Sequence, residues 1–249
     1  MECYLFQMQL KADRSDFIIF AHRGASGYEP ENTLLAIRKA IELGARWIEV
    51  DVYAVDGELV VFHDKRLERT TNGKGKIEKC SLSYLRSLDA GKGEKIPLLR
   101  EVLDILGGEI GLNIELKGAN SAGLTAELID DYALQGRLNY RQIIVSSFNI
   151  QELQAFKRYC PRVRIGALTH KFLKDYAQFG EQLGAYSIHA DIEEINQEFI
   201  DDTHRRRMKF FVYTVNDAEE MLHLREMKAD GIFTNYPDLA LSVLNQQSR

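Results

Sequence analysis

Short apolar, β-branched runs alternate with stretches of helical spacing along the sequence, and this alternation predicts an α/β fold of the TIM (β/α)8 barrel class. Eight strand and helix alternations fit within about 230 residues, a length typical of that barrel. The 249 residues include only four prolines, and no linker rich in Pro, Gly or Ser divides them. We therefore predict one barrel domain over residues 1–249, with a small insertion after the second strand unit at about residues 64–97.

The predicted strands are short runs rich in β-branched and aromatic residues. They are Phe17–Ala21, Trp47–Tyr53, Leu59–His63, Gly111–Lys117, Gln142–Ser146, Arg164–Leu168, Ala185–His189, Lys209–Val215 and Gly231–Thr234. Asp56-Gly57 separates the second run from the third, and this dipeptide is a hairpin signal. These two strands are therefore predicted to pair locally rather than through a helical crossover.

The predicted helices fill the gaps between strands, each with an amphipathic pattern. They are Thr33–Leu43, Leu98–Leu106, Ala122–Gln135, Ile150–Tyr159, Phe172–Phe179, Gln197–Arg206, Ala218–Lys228 and Leu239–Leu244. Asn216-Asp217 and Asn235–Asp238 follow the last two strands and are typical of helix starts.

Residues 64–97 interrupt the alternation of strands and helices with a mostly polar stretch and a short helical segment near Leu82–Leu88. A long excursion at the end of a strand is more often a functional loop than a plain connection. We therefore expect the insertion to overhang the site.

The composition and net charge of the chain argue against two kinds of binding partner, nucleic acids and membranes. Lys and Arg number 32 against 37 Asp and Glu, a net charge of −5, and Arg205-Arg206-Arg207 is the one concentrated basic tract. A nucleic-acid backbone is therefore a poor partner, and a solvated helix end explains the three arginines better. No run approaches the roughly 18 apolar residues that would span a bilayer, so no membrane anchor is expected.

The first ten residues begin with an acid and lack the basic region and cleavage site of a signal peptide, which predicts a cytoplasmic protein. Cys3, Cys80 and Cys160 are odd in number and far apart, and they form neither a CxxC pair nor a disulfide framework. We interpret them as free cysteines that serve only in packing. The sequence leaves a monomer and a homodimer equally open.

Two histidines stand at the ends of successive apolar runs. His22 follows Phe17–Ala21, and His63 follows Leu59–Phe62. In a TIM barrel the catalytic groups project from the carboxyl ends of the strands, so these side chains can converge on one site. An imidazole near its ordinary pKa of about 6.5 works as general acid or base at physiological pH. We predict His22 and His63 to be catalytic.

Carboxylates occupy strand positions where a core would want apolar side chains. Glu49 and Asp51 share one face of a strand, and Glu115 shares a face of another with Lys117. Three carboxylates together repel one another unless a cation lies between them, and hard oxygen ligands favour Mg²⁺ or Ca²⁺ over zinc. We predict Glu49, Asp51 and Glu115 to bind the metal. Lys117 and Arg23 would balance the charge of a bound phosphate.

Any one of these residues alone is more often hydrogen-bonded scaffolding, but burying all of them without a function would be costly. Other polar residues have plainer interpretations. His189 is assigned to packing or a supporting hydrogen bond, and His170, His204 and His223 to solvated positions. Glu31 and Asn32 would contact the site, with Asn32 equally a helix N-cap.

Ten short motifs occur in a fixed order over about 220 residues, the length of one barrel. They are His22-Arg23-Gly24, Pro30–Thr33, Glu49-Val50-Asp51, His63-Asp64, Arg69–Gly73, Ile96-Pro97, Asn113–Lys117, Ser146–Phe148, Tyr213–Asn216 and Gly231–Pro237. In these motifs the chain resembles the glycerophosphodiester phosphodiesterases. The combination is far more specific than any single motif.

The resemblance implies a TIM barrel that hydrolyses glycerophosphodiesters, small molecules such as glycerophosphocholine or glycerophosphoethanolamine, to sn-glycerol 3-phosphate and an alcohol. His22 and His63 match the family's catalytic pair, and Arg23 and Lys117 its phosphate contacts. Its metal ligands are matched by Glu49, Asp51 and Glu115. Tyr213 departs from the tryptophan of many members, which keeps an aromatic wall but alters its shape. The chain is similar to the short cytoplasmic members.

Four alternatives stay open. The same site would serve a lyase that releases a cyclic phosphate, or a phosphodiesterase acting on lysophospholipids. A non-catalytic barrel that binds a phosphate ligand is disfavoured because both histidines and all three carboxylates are present. A barrel that abstracts a proton next to a carboxylate would also use three carboxylates, since fold alone does not determine function.

Overall fold

The computed structural model describes residues 17–171 and 175–245. Its strands are β1 Ile18–His22, β2 Trp47–Val55, β3 Glu58–Val61, β4 Gly111–Leu116, β5 Ile143–Ser147, β6 Arg164–Thr169, β7 Ser187–Asp191, β8 Lys209–Tyr213 and β9 Gly231–Thr234. Its α-helices are α1 Leu34–Glu42, α2 Leu82–Ser87, α3 Leu99–Leu106, α4 Ser121–Leu134, α5 Ile150–Tyr159, α6 Gln178–Leu183, α7 Gln197–Arg205, α8 Ala218–Glu226 and α9 Pro237–Asn245. Short 3₁₀ turns cover Ile77–Lys79, Tyr140–Gln142 and Ile192–Glu194.

Eight parallel strands close into a barrel. The order around the ring is β1-β9-β8-β7-β6-β5-β4-β2, and the β1–β2 pairing closes it. The helices between consecutive strands bury their apolar faces against the outside of this sheet in one continuous core. The TIM barrel predicted from the alternating pattern is therefore confirmed.

Aromatic side chains fill the inside of the barrel. Phe20, Ile144, Phe211 and Phe233 form a separate buried cluster. The ring of Phe20 stacks on Phe233 with 4.4 Å between centroids and meets Phe211 edge-on at 5.1 Å. Because these residues lie earlier on their strands than the polar residues at the strand ends, they make a solid floor beneath the mouth.

β3 lies outside the ring and pairs antiparallel with the far end of β2, as the hairpin signal predicted. β2 continues past the barrel rim, turns at Asp56-Gly57 and returns as β3. At the end of the return, the backbone N–H of Phe62 donates to the carbonyl of Asp51 at 2.9 Å. The hairpin thus brings His63 back to the mouth.

The insertion has its own small core. Buried side chains of the hairpin and insertion, among them Phe62, Leu67, Ile77, Leu85 and Ile96, form a cluster apart from the barrel core. At its start, Asp64 and Arg69 contact His63 and Glu31, and near its end Lys92 and Glu94 contact Glu29 and the backbone of Leu35. The start of the insertion therefore lies next to His63.

Most helices begin at a polar N-cap, which explains why their predicted and observed starts agree closely. Thr33, rather than Asn32, caps α1 by accepting from the N–H of Ala36. Asn149, Asn196 and Asp217 cap α5, α7 and α8 in the same way.

One predicted helix was misplaced. The pattern predicted Phe172–Phe179, but α6 runs over Gln178–Leu183 after a turn at residues 175–177. Gly180 and Leu183 are buried, and the left-handed Gly184 ends the helix. Residues 172–174 lie outside the described part of the chain.

The cytoplasmic prediction and the assignment of Cys3 also lie outside the described residues, because both fall on residues 1–16. Cys80 and Cys160 are free thiols, in agreement with their interpretation as free cysteines. Within residues 17–171 and 175–245, no helix is long and apolar enough to cross a membrane.

Candidate active site

His22 ends β1 at the mouth of the barrel, next to Glu49 in the register of β1 and β2. Its Nδ1 lies 2.8 Å from the side-chain oxygen of Asn235, the residue that follows β9. Asn235 is itself held, because its backbone N–H donates to Asn216 at 2.9 Å. An amide oxygen accepts but cannot donate, so Nδ1 of His22 carries the proton and Nε2 keeps its lone pair. Burial and the charge of Arg23 lower the pKa of His22 to about 4, so the ring is neutral at pH 7.

The chain bends sharply after His22. Arg23 has a left-handed φ of 56°, and its backbone N–H donates to Glu49 Oε2 at 2.9 Å. Gly24 follows with a φ of 79°, and a Cβ there would lie 2.6 Å from the carbonyl carbon of Ala36 on α1. The glycine of the His-Arg-Gly motif therefore allows the turn that points a backbone donor at Glu49.

Gly24→Ala is expected to lower the free energy of unfolding by about 3 kcal/mol, since it adds both backbone strain and a clash with Ala36. Gly93→Ala is the matched control, because Gly93 has nearly the same φ, 80°, but open space around its Cβ position. The control is expected to cost about 1 kcal/mol. Urea unfolding of both variants measures the difference, and equal losses would contradict the close contact.

Three carboxylates converge at the mouth. Glu49, Asp51 and Glu115 each offer an oxygen, and these oxygens all lie within 4.8 Å of one another. Glu49 and Asp51 lie two residues apart on β2, and Glu115 lies beside Asp51 in the register of β2 and β4. The side chain of the buried Asn32 donates to Asp51 Oδ2 at 2.8 Å. The structure thus brings together the residues predicted as metal ligands.

Two cations are already close to these carboxylates. Lys117 Nζ lies 2.6 Å from Glu115 Oε1 and 3.4 Å from Asp51 Oδ1. Arg23 Nε lies 3.3 Å from Asp51 Oδ2. Although burial opposes ionisation of Asp51, Lys117 and Arg23 hold its pKa below the usual range.

The other two carboxyl groups resist ionisation. Burial and the neighbouring charge of Asp51 raise the pKa of Glu49 well above its usual range. Burial raises the pKa of Glu115 to about 7, although Lys117 works against the shift. Three buried hard-oxygen donors, two of which resist ionisation in the absence of a counter-ion, fit a divalent cation, which would favour their ionised forms.

His63 is held by a carboxylate rather than an amide. Its Nδ1 lies 2.6 Å from Asp64 Oδ1, and Arg69 donates from Nε to Asp64 Oδ2 at 2.6 Å. Arg69 also donates through both terminal nitrogens to Glu31, at 2.6 and 2.7 Å. Glu31 in turn accepts from Arg23 Nη1 at 2.8 Å. A chain of charged contacts therefore links the insertion and His63 to Arg23.

These residues surround a cavity of about 400 Å³ at the mouth. It is lined by His22, Arg23, Glu49, His63, Asn113, Glu115, Lys117, Phe148, Leu168, His189, Asp191, Ile192, Glu193, Tyr213, Thr214 and Phe233. Of the seven predicted site residues, six line the cavity and Asp51 lies buried beside them. Tyr213 stays an aromatic wall, with its hydroxyl donating to the carbonyl of Thr169 at 2.7 Å.

The sequence did not assign roles to the residues that hold the histidines. Asn235 was interpreted as part of a helix start, but its side chain contacts His22. Asp64 and Arg69 stood in recognised motifs without a role. His189 is fully buried, packs against Phe211 and Phe233, and shares a hydrogen bond with Ser187 at 2.9 Å, as its supporting assignment predicted.

Of the other histidines predicted to be solvated, His204 shares a hydrogen bond with Asp230, with 2.8 Å between Nε2 and Oδ2. In the basic tract, Arg206 is bound by Asp202 and Glu181 rather than only by solvent.

A TIM barrel with two histidines, three convergent carboxylates and two cations around one cavity is the arrangement expected of a hydrolase that acts on a phosphate ester. Comparison with known proteins agrees. Residues 22–239 match the Glycerophosphoryl diester phosphodiesterase family. The chain therefore belongs to this family and is an enzyme of that class.

Two relatives illustrate the similarity in sequence. A glycerophosphodiester phosphodiesterase of Caldanaerobacter subterraneus is 35% identical over 240 residues, which cover 92% of this chain and 98% of the relative. A glycerophosphodiester phosphodiesterase of Bacillus subtilis is 33% identical over 255 residues, with 92% and 86% covered.

Solved structures agree with the fold. A phosphodiesterase of Oleispira antarctica, in complex with its product sn-glycerol-3-phosphate, superposes with a TM-score of 0.84 at 30% identity, covering 92% of this chain and 96% of that one. A glycerophosphodiester phosphodiesterase from Thermotoga maritima gives a TM-score of 0.74 at 28% identity, with 91% and 98% covered.

Proposed function

We propose that this enzyme hydrolyses glycerophosphodiesters, such as glycerophosphocholine or glycerophosphoethanolamine, to sn-glycerol 3-phosphate and an alcohol, with the help of Mg²⁺ or Ca²⁺. The observation that carries the proposal is the convergence of the carboxylates of Glu49, Asp51 and Glu115 at the cavity that His22 and His63 line. The Oleispira antarctica enzyme, whose structure contains sn-glycerol-3-phosphate, supports the choice of product.

Glu49, Asp51 and Glu115 are the proposed ligands of the cation. A divalent ion held by these oxygens would polarise a phosphoryl oxygen and so stabilise the negative charge that develops during attack. Arg23 and Lys117 neutralise the remaining phosphate charge from either side of the carboxylates. Lys117 suits this role because Asp51 and Glu115 raise its pKa above the usual range, in spite of burial, and keep it protonated.

The hydrogen-bond partners of the histidines support one assignment of the acid and the base. Asn235 leaves Nε2 of the neutral His22 free to accept a proton, which suits a general base that activates water. Asp64 stabilises a positive charge on His63, which suits a general acid, although burial lowers the pKa of His63. The water oxygen bonds to phosphorus as the bond to the alcohol oxygen breaks, and His63 protonates that oxygen.

Product analysis tests the reaction. Phosphorus NMR of glycerophosphocholine with the enzyme and Mg²⁺ is expected to show the diester signal replaced directly by that of sn-glycerol 3-phosphate. A cyclic phosphate that persists without ring opening would contradict hydrolysis and favour the lyase. If the enzyme hydrolyses lysophosphatidylcholine but not glycerophosphocholine, its substrates are lysophospholipids. Ligand binding without turnover of either would indicate a non-catalytic barrel.

A further inference from the structure

The cavity has two chemically different sides. The carboxylates and histidines of the site come from the strands β1, β2 and β4 and from the hairpin. The opposite side is formed by Asp191, Ile192 and Glu193, which we call the distal wall. Asp191 ends β7, and β7 lies four strands from β2 in either direction around the ring. The distal wall therefore faces the proposed metal ligands across the full width of the barrel.

The distal wall carries two carboxylates for which the described residues provide no ion-pair partner. Among the residues that the structure describes, no Lys, Arg or His forms an ion pair with Asp191 or Glu193. Oδ1 of Asp191 accepts the backbone N–H of Glu193 at 3.1 Å, which fixes the orientation of the carboxylate. On the side of the proposed metal ligands, by contrast, Arg23 and Lys117 form ion pairs with the carboxylates.

Aromatic rings stand beside these carboxylates. Tyr213 is the neighbour of Asp191 in the register of β7 and β8, and its hydroxyl is held by Thr169. Phe148 meets Tyr213 edge-on, with 6.2 Å between ring centroids, and is 38% exposed, but its ring also lies 5.6 Å from Lys117 Nζ, so Tyr213 is the ring next to the distal wall. The faces of such rings attract a cation within about 6 Å. Carboxylates and aromatic faces together are the surroundings that a quaternary ammonium group prefers.

A buried polar atom on the same strand also lacks a partner. His189 lies two residues before Asp191, on the same inward face of β7, and lines the cavity with none of its surface exposed to solvent. Ser187 satisfies its Nε2, but Nδ1 has no hydrogen-bond partner in the described structure. Buried polar groups are normally satisfied, so this unpaired atom points to a hydrogen-bonding ligand group beside it, such as an N–H of a primary ammonium head group, since a quaternary ammonium has no proton to donate.

We infer that the distal wall is a binding subsite for the cationic head group of the substrate, so that the enzyme selects glycerophosphodiesters whose alcohol carries an ammonium charge. Asp191 and Glu193 supply the opposite charge, and the aromatic rings supply the contact surface. This inference rests on the proposed function, since it assigns the alcohol half of the diester to the side away from the carboxylates.

The test compares two substrates of the same shape. One is glycerophosphocholine, and the other is its neutral analogue with carbon in place of the quaternary nitrogen. The wild-type enzyme is expected to show a kcat/KM about tenfold higher for glycerophosphocholine. Asp191→Asn and Glu193→Gln are each expected to lower this ratio about threefold, and the double variant to bring it close to one. Glu194→Gln, which removes a neighbouring charge outside the cavity, is expected to keep the wild-type ratio.

The outcomes separate the inference from the proposed function. Equal kcat/KM values for both substrates in the wild-type enzyme would overturn the subsite, as would a ratio that neither variant changes. Hydrolysis of neither substrate would instead refute the proposed function. Since Glu193 is exposed, Glu193→Gln keeps the test valid if Asp191→Asn does not fold.

Discussion

His22→Ala is expected to lower kcat for glycerophosphocholine by about 10²–10⁴-fold, because the variant has no general base to take the proton from water. The melting temperature should stay close to that of the wild type, since the ring makes one side-chain hydrogen bond, to Asn235. His223→Ala is the matched control, an exposed histidine on α8 that does not line the cavity. Steady-state rates with circular dichroism on the three proteins measure both effects.

His63→Ala is expected to cause a loss of similar size, but one that depends on the leaving group. A glycerophosphodiester of p-nitrophenol needs no proton on its departing oxygen, so His63→Ala should recover much of its rate on this substrate. His22→Ala should not recover, because its defect lies in the attack. Recovery of His22→Ala in place of His63→Ala would reverse the assignment of acid and base.

Glu115→Gln is expected to abolish activity while stabilising the metal-free protein. Burial raises the pKa of Glu115 to about 7 in the folded state, against about 4.3 in an unfolded chain. The folded protein therefore holds a proton that the unfolded chain has lost, and this group's contribution to stability falls as the pH rises through that window. A glutamine at this position carries no charge at any pH, so the metal-free variant does not lose stability as the pH rises. Its free energy of unfolding at pH 8 is expected to exceed that of the wild type by about 2 kcal/mol.

Thermal unfolding at pH 5.5 and pH 8, with and without Mg²⁺ or Ca²⁺, measures these effects. Wild-type protein is expected to gain stability from the cation at pH 8, and Glu115→Gln to lose most of that gain because one ligand oxygen is gone. Glu109→Gln, an exposed carboxylate, is the control and should behave as the wild type. A metal-free Glu115→Gln that is less stable than the wild type at pH 8 would contradict the electrostatic account.

The sequence was sufficient for the barrel because its strand and helix periods repeat eight times and the turns between them are local. It was also sufficient to bring the three carboxylates together, since parallel strands in a barrel end at the same rim. His63 was harder to place, because its position depends on how far β2 extends before the hairpin returns. Only the register of Val52 with Val61 resolves that question.

The residues that hold the two histidines through hydrogen bonds and ion pairs were not predictable, because they come from distant parts of the chain. Asn235 and His22 are 213 residues apart, and Arg69 and Glu31 are 38 apart. Short polar residues at the ends of strands resemble helix caps in a sequence, so nothing local distinguishes Asn235 from an ordinary cap. The helix near Phe179 was misplaced because no side chain caps its start, so no local signal marks where it begins. Its position follows instead the burial of Gly180.

We propose that the enzyme uses its three carboxylates, two histidines and a divalent cation to hydrolyse a glycerophosphodiester. The most direct test is release of sn-glycerol 3-phosphate from glycerophosphocholine by chelator-stripped enzyme, followed with a coupled dehydrogenase, before and after Mg²⁺ or Ca²⁺ is added. We expect no release without metal, restored release with it, and none from His22→Ala under either condition. Full turnover by the stripped enzyme, unchanged by added metal, would contradict the account.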